Sequence, residues 1–167
     1  VGSPNGAREA APPASPTSVT IDSPQGTTIL SAPIDPLTAQ RNPDGSWAPV
    51  KPPSLTRAVW MTQSAMPAAP STGTTAVYGH ACIGLTCAFN NVASTPANSI
   101  VIVRTNTATL RYRVVSLTQY PKTGAQSLGS RQDMANQLLL ITCAYHSDGS
   151  STNNLVLIAT LIGTQAR

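Results

Sequence analysis

The stretch Gln137-Leu138-Leu139-Leu140-Ile141-Thr142-Cys143, followed by a polar loop and then Leu155-Val156-Leu157-Ile158-Ala159-Thr160, decides the fold. Two short apolar runs bracket a loop rich in Ser, Asp, Gly and Asn. Runs of this length with polar bounds fit fully buried strands better than helices, because the segment between them breaks any helical period. Cys143 then sits where a strand runs out into solvent. A rigid strand end displays a reactive side chain, whereas a merely structural cysteine more often lies inside the apolar run.

Upstream of this pair the strands are short and numerous. Ser99-Ile100-Val101-Ile102-Val103-Arg104 and Thr109-Leu110-Arg111-Tyr112-Arg113-Val114-Val115 are the clearest, the second with Arg and Tyr alternating outward, and Thr105-Asn106-Thr107-Ala108 is a hairpin-length link between them. Thr75-Ala76-Val77-Tyr78-Gly79-His80 reads as a strand ending in a histidine, and Ala58-Val59-Trp60-Met61 as another. Ser18-Val19-Thr20-Ile21 and Thr27-Thr28-Ile29-Leu30 have the β-branched content of two strands around a Ser23-Pro24-Gln25-Gly26 turn. Short helical turns are expected only near Phe89 to Val92 and near Arg131 to Ala135. About eight short strands with few helices argue an all-β closed barrel or a sandwich.

The first third, Val1 to Pro53, holds 11 of the 15 prolines, so much of it should be extended or irregular. Residues 1–16 read as a flexible tether and 17–167 as one domain, which suits a chain of 167 residues. A net charge of +4 with only 10% charged residues and no clustered cations excludes nucleic-acid binding. Abundant Ser, Thr, Asn and Gln give the surface style of secreted and wall-associated proteins. The apolar runs are far shorter than a membrane span. The opening Val1-Gly2-Ser3 reads as a truncation, so membrane attachment is expected only through an N-terminal anchor removed from the sequence.

Leu139-Leu140-Ile141-Thr142-Cys143 resembles the T-L-x-T-C signature of sortases, with Leu139 in place of the first Thr. Val77-Tyr78-Gly79-His80 followed by Ala88-Phe89-Asn90-Asn91 resembles the family's strand-Gly-His and the segment after it, and the resemblance runs from about Pro16 to Thr160. It implies a closed eight-stranded sortase-like β-barrel and a cysteine transpeptidase. Such an enzyme cuts a C-terminal sorting signal on a surface protein, holds it as a thioacyl intermediate and passes it to a cell-wall precursor or pilin amine. It also implies a place on the extracellular face of a Gram-positive cell membrane. The proline-rich start and low charge are similar to the actinobacterial class E or F enzymes.

Under this resemblance Cys143 is the nucleophile, because a thiolate attacks and a nearby imidazole activates it or protonates the leaving amine, and His80 is that acid/base. The family's third member is an arginine on the final strand; counting back from Ile158-Ala159-Thr160, that position is Asn154. An asparagine amide still donates a hydrogen bond but carries no charge. Arg131 is a loop residue that can take the role instead. Thr142 lies beside the nucleophile, where its backbone helps hold the acyl oxygen. Trp60 and Tyr78 read as core anchors.

Three cysteines make one pair plus one thiol. Pairing Cys82 with Cys87 across Gly84 leaves Cys143 for chemistry. The competing reading is a zinc set drawn from His80, Cys82, Cys87, Cys143 and His146, whose spacing matches no common C-x-x-C pattern. No metal or other cofactor is expected, and carboxylates are too few and scattered for calcium. The alternative to the enzyme is a catalytically impaired barrel of the same kind that binds wall peptides or a pilin partner.

Overall fold

The computed structural model describes residues 10–45, 48, 50–121, 134–144, 151 and 153–166. Eight strands run in the order β1 (Pro16–Asp22), β2 (Thr28–Leu37), β3 (Ala58–Met61), β4 (Thr75–Tyr78), β5 (Ile100–Thr105), β6 (Ala108–Pro121), β7 (Gln137–Ala144) and β8 (Asn153–Ala166). They close into a barrel with the neighbour order β1-β2-β3-β4-β7-β8-β6-β5. The β2–β3 and β4–β7 pairs are parallel and the others antiparallel. Closure removes exposed sheet edges. Among the described residues the helical content is one 3-10 turn, Val92–Ser94, just after the position expected for it. The second expected turn, at Arg131 to Ala135, lies largely outside the described residues.

The period-2 pattern decides which residues fill the barrel. Val19, Ile21, Val77, Val101, Val103, Leu110, Leu138, Leu140, Leu157 and Leu161 are fully buried in its interior, joined by Trp60, Phe89 and Tyr112. Burying each such side chain contributes about 1.5–3 kcal/mol against chain entropy. On β6 the alternation is Leu110 in, Arg111 out, Tyr112 in, Arg113 out. Tyr112 therefore does not share the outward face expected for it; the two-residue period forces it opposite the arginines, and its burial raises the phenol's pKa far above the ordinary value.

The proline-rich third is more regular than its composition suggests. β2 continues through Pro33 and Pro36 to Leu37, beyond the expected end at Leu30. The pairing explains how: β1 is β2's partner only as far as Ser18↔Pro33, and β3 takes over from Ile34↔Ala58. The missing amides fall at and beyond this hand-over, where one side of β2 has no ladder to serve. Ahead of β1, Ala11 is buried and bridges Ala69, each N–H donating to the other's carbonyl at 3.0 and 2.9 Å.

The β4–β7 register, on which the site depends, is pinned at the strand starts. Ser71 N–H donates to Asn136 Oδ1 at 2.9 Å, and Asn136 N–H returns a bond to Ser71 Oγ at 2.7 Å. Gln137 Nε2 donates to Thr74 Oγ1 at 3.1 Å, and Gln137, Ser71 and Thr74 are all buried. Buried polar groups that satisfy one another in this way penalise any slip of the strands.

Candidate active site

β4 and β7 run parallel with Tyr78 opposite Ile141. Gly79 N–H donates to Ile141 O at 3.1 Å, so the ladder continues past the strand. The pairing itself ends at Tyr78; carrying its register two residues further would set the His80 backbone opposite Cys143. On the other side of β7, Cys143 is the register partner of Asn154 on β8. Cys143 and Asn154 thus lie opposite each other on β7 and β8, with backbones about 5 Å apart, and His80 completes the row only by extension of the register beyond the end of β4.

The row continues an apolar strip on the outer face. Ala76 of β4, Leu139 and Ile141 of β7, and Val156 and Ile158 of β8 form a buried cluster separate from the barrel interior, with Met61, Tyr78 and Tyr120 packed against it. By the two-residue period His80, Cys143 and Asn154 are the next positions on this face. Burial pushes the Tyr78 phenol up to about 12, so it stays neutral at physiological pH. Trp60 is an interior anchor, as its composition implied, whereas Tyr78 belongs to this outer strip.

His80 is seated by close contacts on both sides. A Cβ at Gly79 would lie 2.6–2.8 Å from the Phe89 ring, which is why the residue before the histidine carries no side chain. Phe89 is fully buried, and its N–H donates to His80 O at 2.8 Å. The half-buried imidazole has its Nε2 2.7 Å from Pro52 O. The loop after it is closed by a Cys82–Cys87 disulfide with Cα atoms 5.8 Å apart. Asn90 braces that loop, accepting from Cys82 N–H and donating to Leu85 O, both at 2.7 Å. Cys143 lies outside the disulfide, half-buried and as a thiol.

A groove of about 490 Å³ opens at this end of the barrel, and Cys82, Phe89, Asn90, Gln119, Thr142 and Cys143 are among its walls. Among the described residues its lining carries no charged side chain. Thr142 is 4% exposed, and its hydroxyl is buried with no hydrogen-bond partner among the described residues. In this low-dielectric setting a donor aimed at developing charge acts more strongly than in water. Arg57 is committed elsewhere, to Asp35 through contacts of 2.7 and 2.8 Å, and that hydrogen-bonded guanidinium holds the Asp35 carboxyl below its usual range. Arg131 and His146 lie outside the described residues. Among the described residues no three potential metal ligands come together, and Cys82 and Cys87 are spent on each other.

Two groups at the site escaped the sequence reading. The Pro52 carbonyl has no sequence signal, because any backbone oxygen in the proline-rich third is an equal candidate. The Gly79–Phe89 contact had one: a glycine between a β-branched strand and a histidine, with an aromatic close behind.

The sortase-domain family model matches residues 31–162. Among solved structures, sortase A from Corynebacterium diphtheriae, in a lid mutant, superposes with a TM-score of 0.61 at 17% identity, covering 93% of this chain and 73% of that one. Sortase A from Listeria monocytogenes gives 0.62 at 14%, covering 89% of each. Sortase C-1 from Actinomyces oris gives 0.61 at 16%, covering 86% of this chain and 73% of that one. At such identities these structures show the barrel alone. No curated protein matches the chain. No helix among the described residues is long and apolar enough to cross a membrane. The matched span runs from the middle of β2 well into β8 and takes in the whole row of His80, Cys143 and Asn154, and by that match the chain belongs to the sortase family of cysteine transpeptidases.

Proposed function

We propose that the protein is a sortase-type transpeptidase with Cys143 as nucleophile, His80 as acid/base and Asn154 as a neutral hydrogen-bond donor. Its first substrate is a surface protein bearing a C-terminal sorting signal. Its second is a cell-wall precursor or pilin amine, met on the outer face of a Gram-positive cell membrane. The observation that supports this reading is the pairing of Cys143 with Asn154 at the end of β7, beside a β4 whose register with β7 ends two residues before His80.

The thiol gives its proton to His80, and sulfur attacks the scissile carbonyl. The C–S bond forms, the C–N bond breaks, and the imidazolium proton leaves with the amine. The acceptor amine then attacks the thioester, its proton passes to His80, and the Cys143 sulfur is released. The Asn154 amide and the backbone beside Thr142 offer hydrogen bonds to the oxygen that gains charge in both steps. Subclass E or F rests on the proline-rich first third and the low charge alone.

Incubation with an activated sorting-signal peptide library, read by mass spectrometry, tests the proposal. A thioacyl adduct on Cys143 is expected, absent in Cys143→Ala and formed about 10²–10⁴-fold more slowly in His80→Ala. A folded protein with a reactive Cys143 thiol that acylates with no peptide sinks it. The neutral residue at Asn154 favours one second reading, an impaired barrel that binds wall peptides or a pilin partner. Asn154→Arg separates the two: a faster acylation marks the position as the oxyanion donor, and an unchanged rate removes that role from it.

A further inference from the structure

We propose that the Pro52 carbonyl positions the catalytic histidine by holding neutral His80 as its Nε2–H tautomer, which makes Nδ1 the nitrogen that takes and returns the proton. The inference rests on the acid/base role given to His80 above. A carbonyl oxygen can only accept a hydrogen bond, so at 2.7 Å from Pro52 O the Nε2 atom carries a hydrogen in both the neutral and the cationic ring. The lone pair of the neutral ring is then on Nδ1. In acylation the Cys143 S–H proton moves to Nδ1 and from there to the departing amine. In the second step the acceptor's proton moves to Nδ1 and back to sulfur. Nε2–H is retained throughout.

The strap that brings Pro52 to the ring is built to stay in place. It lies between β2 and β3, and Pro52 is buried and followed by Pro53, whose ring fixes one backbone torsion. Two residues later the same strap offers Leu55 O to Ala88 N–H at 2.8 Å. The strap therefore braces the loop from His80 to Ala88 at both ends, and the Cys82–Cys87 disulfide stiffens the loop between them. At the foot of the strap, the paired Arg57 and Asp35 tie the start of β3 to β2. With both ends held, the ring is fixed with no carboxylate partner among the described residues.

The full chain carrying ¹⁵N-histidine and ¹³C-proline, studied by NMR with His146→Ala to assign the two rings, tests this at a pH where His80 is neutral. The expected result is a protonated Nε2 in slow exchange with solvent, coupled through the hydrogen bond to the Pro52 carbonyl, and an unprotonated Nδ1. An Nδ1–H tautomer, or an Nε2–H that exchanges freely and shows no coupling, overturns the proposal. A second arm uses acylation. Pro52→Gly with Pro53→Gly loosens the strap and should lower the acylation rate roughly tenfold at unchanged peptide KM, because a displaced reacting group costs rate. An unchanged rate in the glycine variant overturns the catalytic part even if the NMR pattern holds. A protein that shows the tautomer but forms no adduct with any peptide refutes the transpeptidase instead.

Discussion

β6 and β7 both pair with β8, yet they are different kinds of strand. Between Ala108 and Val115, β6 has one dry face: Leu110, Tyr112 and Val114 are buried while Arg111, Arg113 and Val115 are exposed. From Leu138 to Thr142, β7 is buried at every position. Its even-numbered residues fill the barrel and its odd-numbered ones build the outer strip that ends at Cys143. A strand with one dry face is wall. A strand with two carries a second apolar layer, and Cys143 is the next position beyond that layer, half-buried beside a surface where each hydrogen bond counts for more than in open water.

The sharpest way to break this contrast is to ask whether the two faces of β7 are equally packed. Leu140→Ala empties part of the barrel interior and should cost about 2–5 kcal/mol in a denaturant titration with an unchanged slope. Ile141→Ala, one residue on and 2% exposed, should cost a similar amount. If it costs less than about 1 kcal/mol, the outer strip is merely shielded, and the claim of two close-packed faces falls.

A smaller effect is expected where the strip meets the row. In Gly79→Ala the new methyl lies 2.6–2.8 Å from the Phe89 ring, and neither a buried ring nor a hydrogen-bonded backbone yields easily. The cost should be about 1–3 kcal/mol in thermal unfolding, with slower acylation because His80 is the next residue. Adding Phe89→Leu should recover part of the rate. If Gly79→Ala is as stable and as fast as the parent, the contact does not seat the histidine.

The contrast also explains how much could be read from the chain. The run Leu138 to Ile141 shows no alternation, and that alone announces a strand covered on both sides; Thr109 to Val114 alternates and announces the wall. His80 and Cys143 stood out by motif and strand end, and Asn154 only as the position on the last strand where the resemblance expects an arginine. The neighbourhood of β4, β7 and β8 did not, because it depends on β7 inserting between β4 and β8 after a crossover through β5 and β6. β6 runs on to Pro121 and β8 to Ala166, beyond the expected strands. The continuation Ser116-Leu117-Thr118-Gln119-Tyr120 is too polar to read as a strand, and a register shift between Val114 and Ser116 breaks its period. The hydrogen bond from His80 to Pro52 is the extreme case: one partner is a backbone oxygen, and only the path of the strap brings it to the ring.

The smallest effect is predicted on the wall itself. Arg111 projects from β6 on the exposed face, opposite Ile102 of β5. Exchanging it for alanine removes a solvated cation and its stem while leaving Leu110 and Tyr112 in place on the other face. The change in unfolding free energy should stay within about 0.5 kcal/mol, since surface substitutions away from caps, strain and buried pairs rarely exceed that. Acylation should be unchanged, because Arg111 is absent from the groove and from the row. A loss above about 1 kcal/mol would mean that the outer face of β6 is packed after all. β6 and β7 would then differ in degree only, and two-sided burial would no longer single out the strand that bears Cys143.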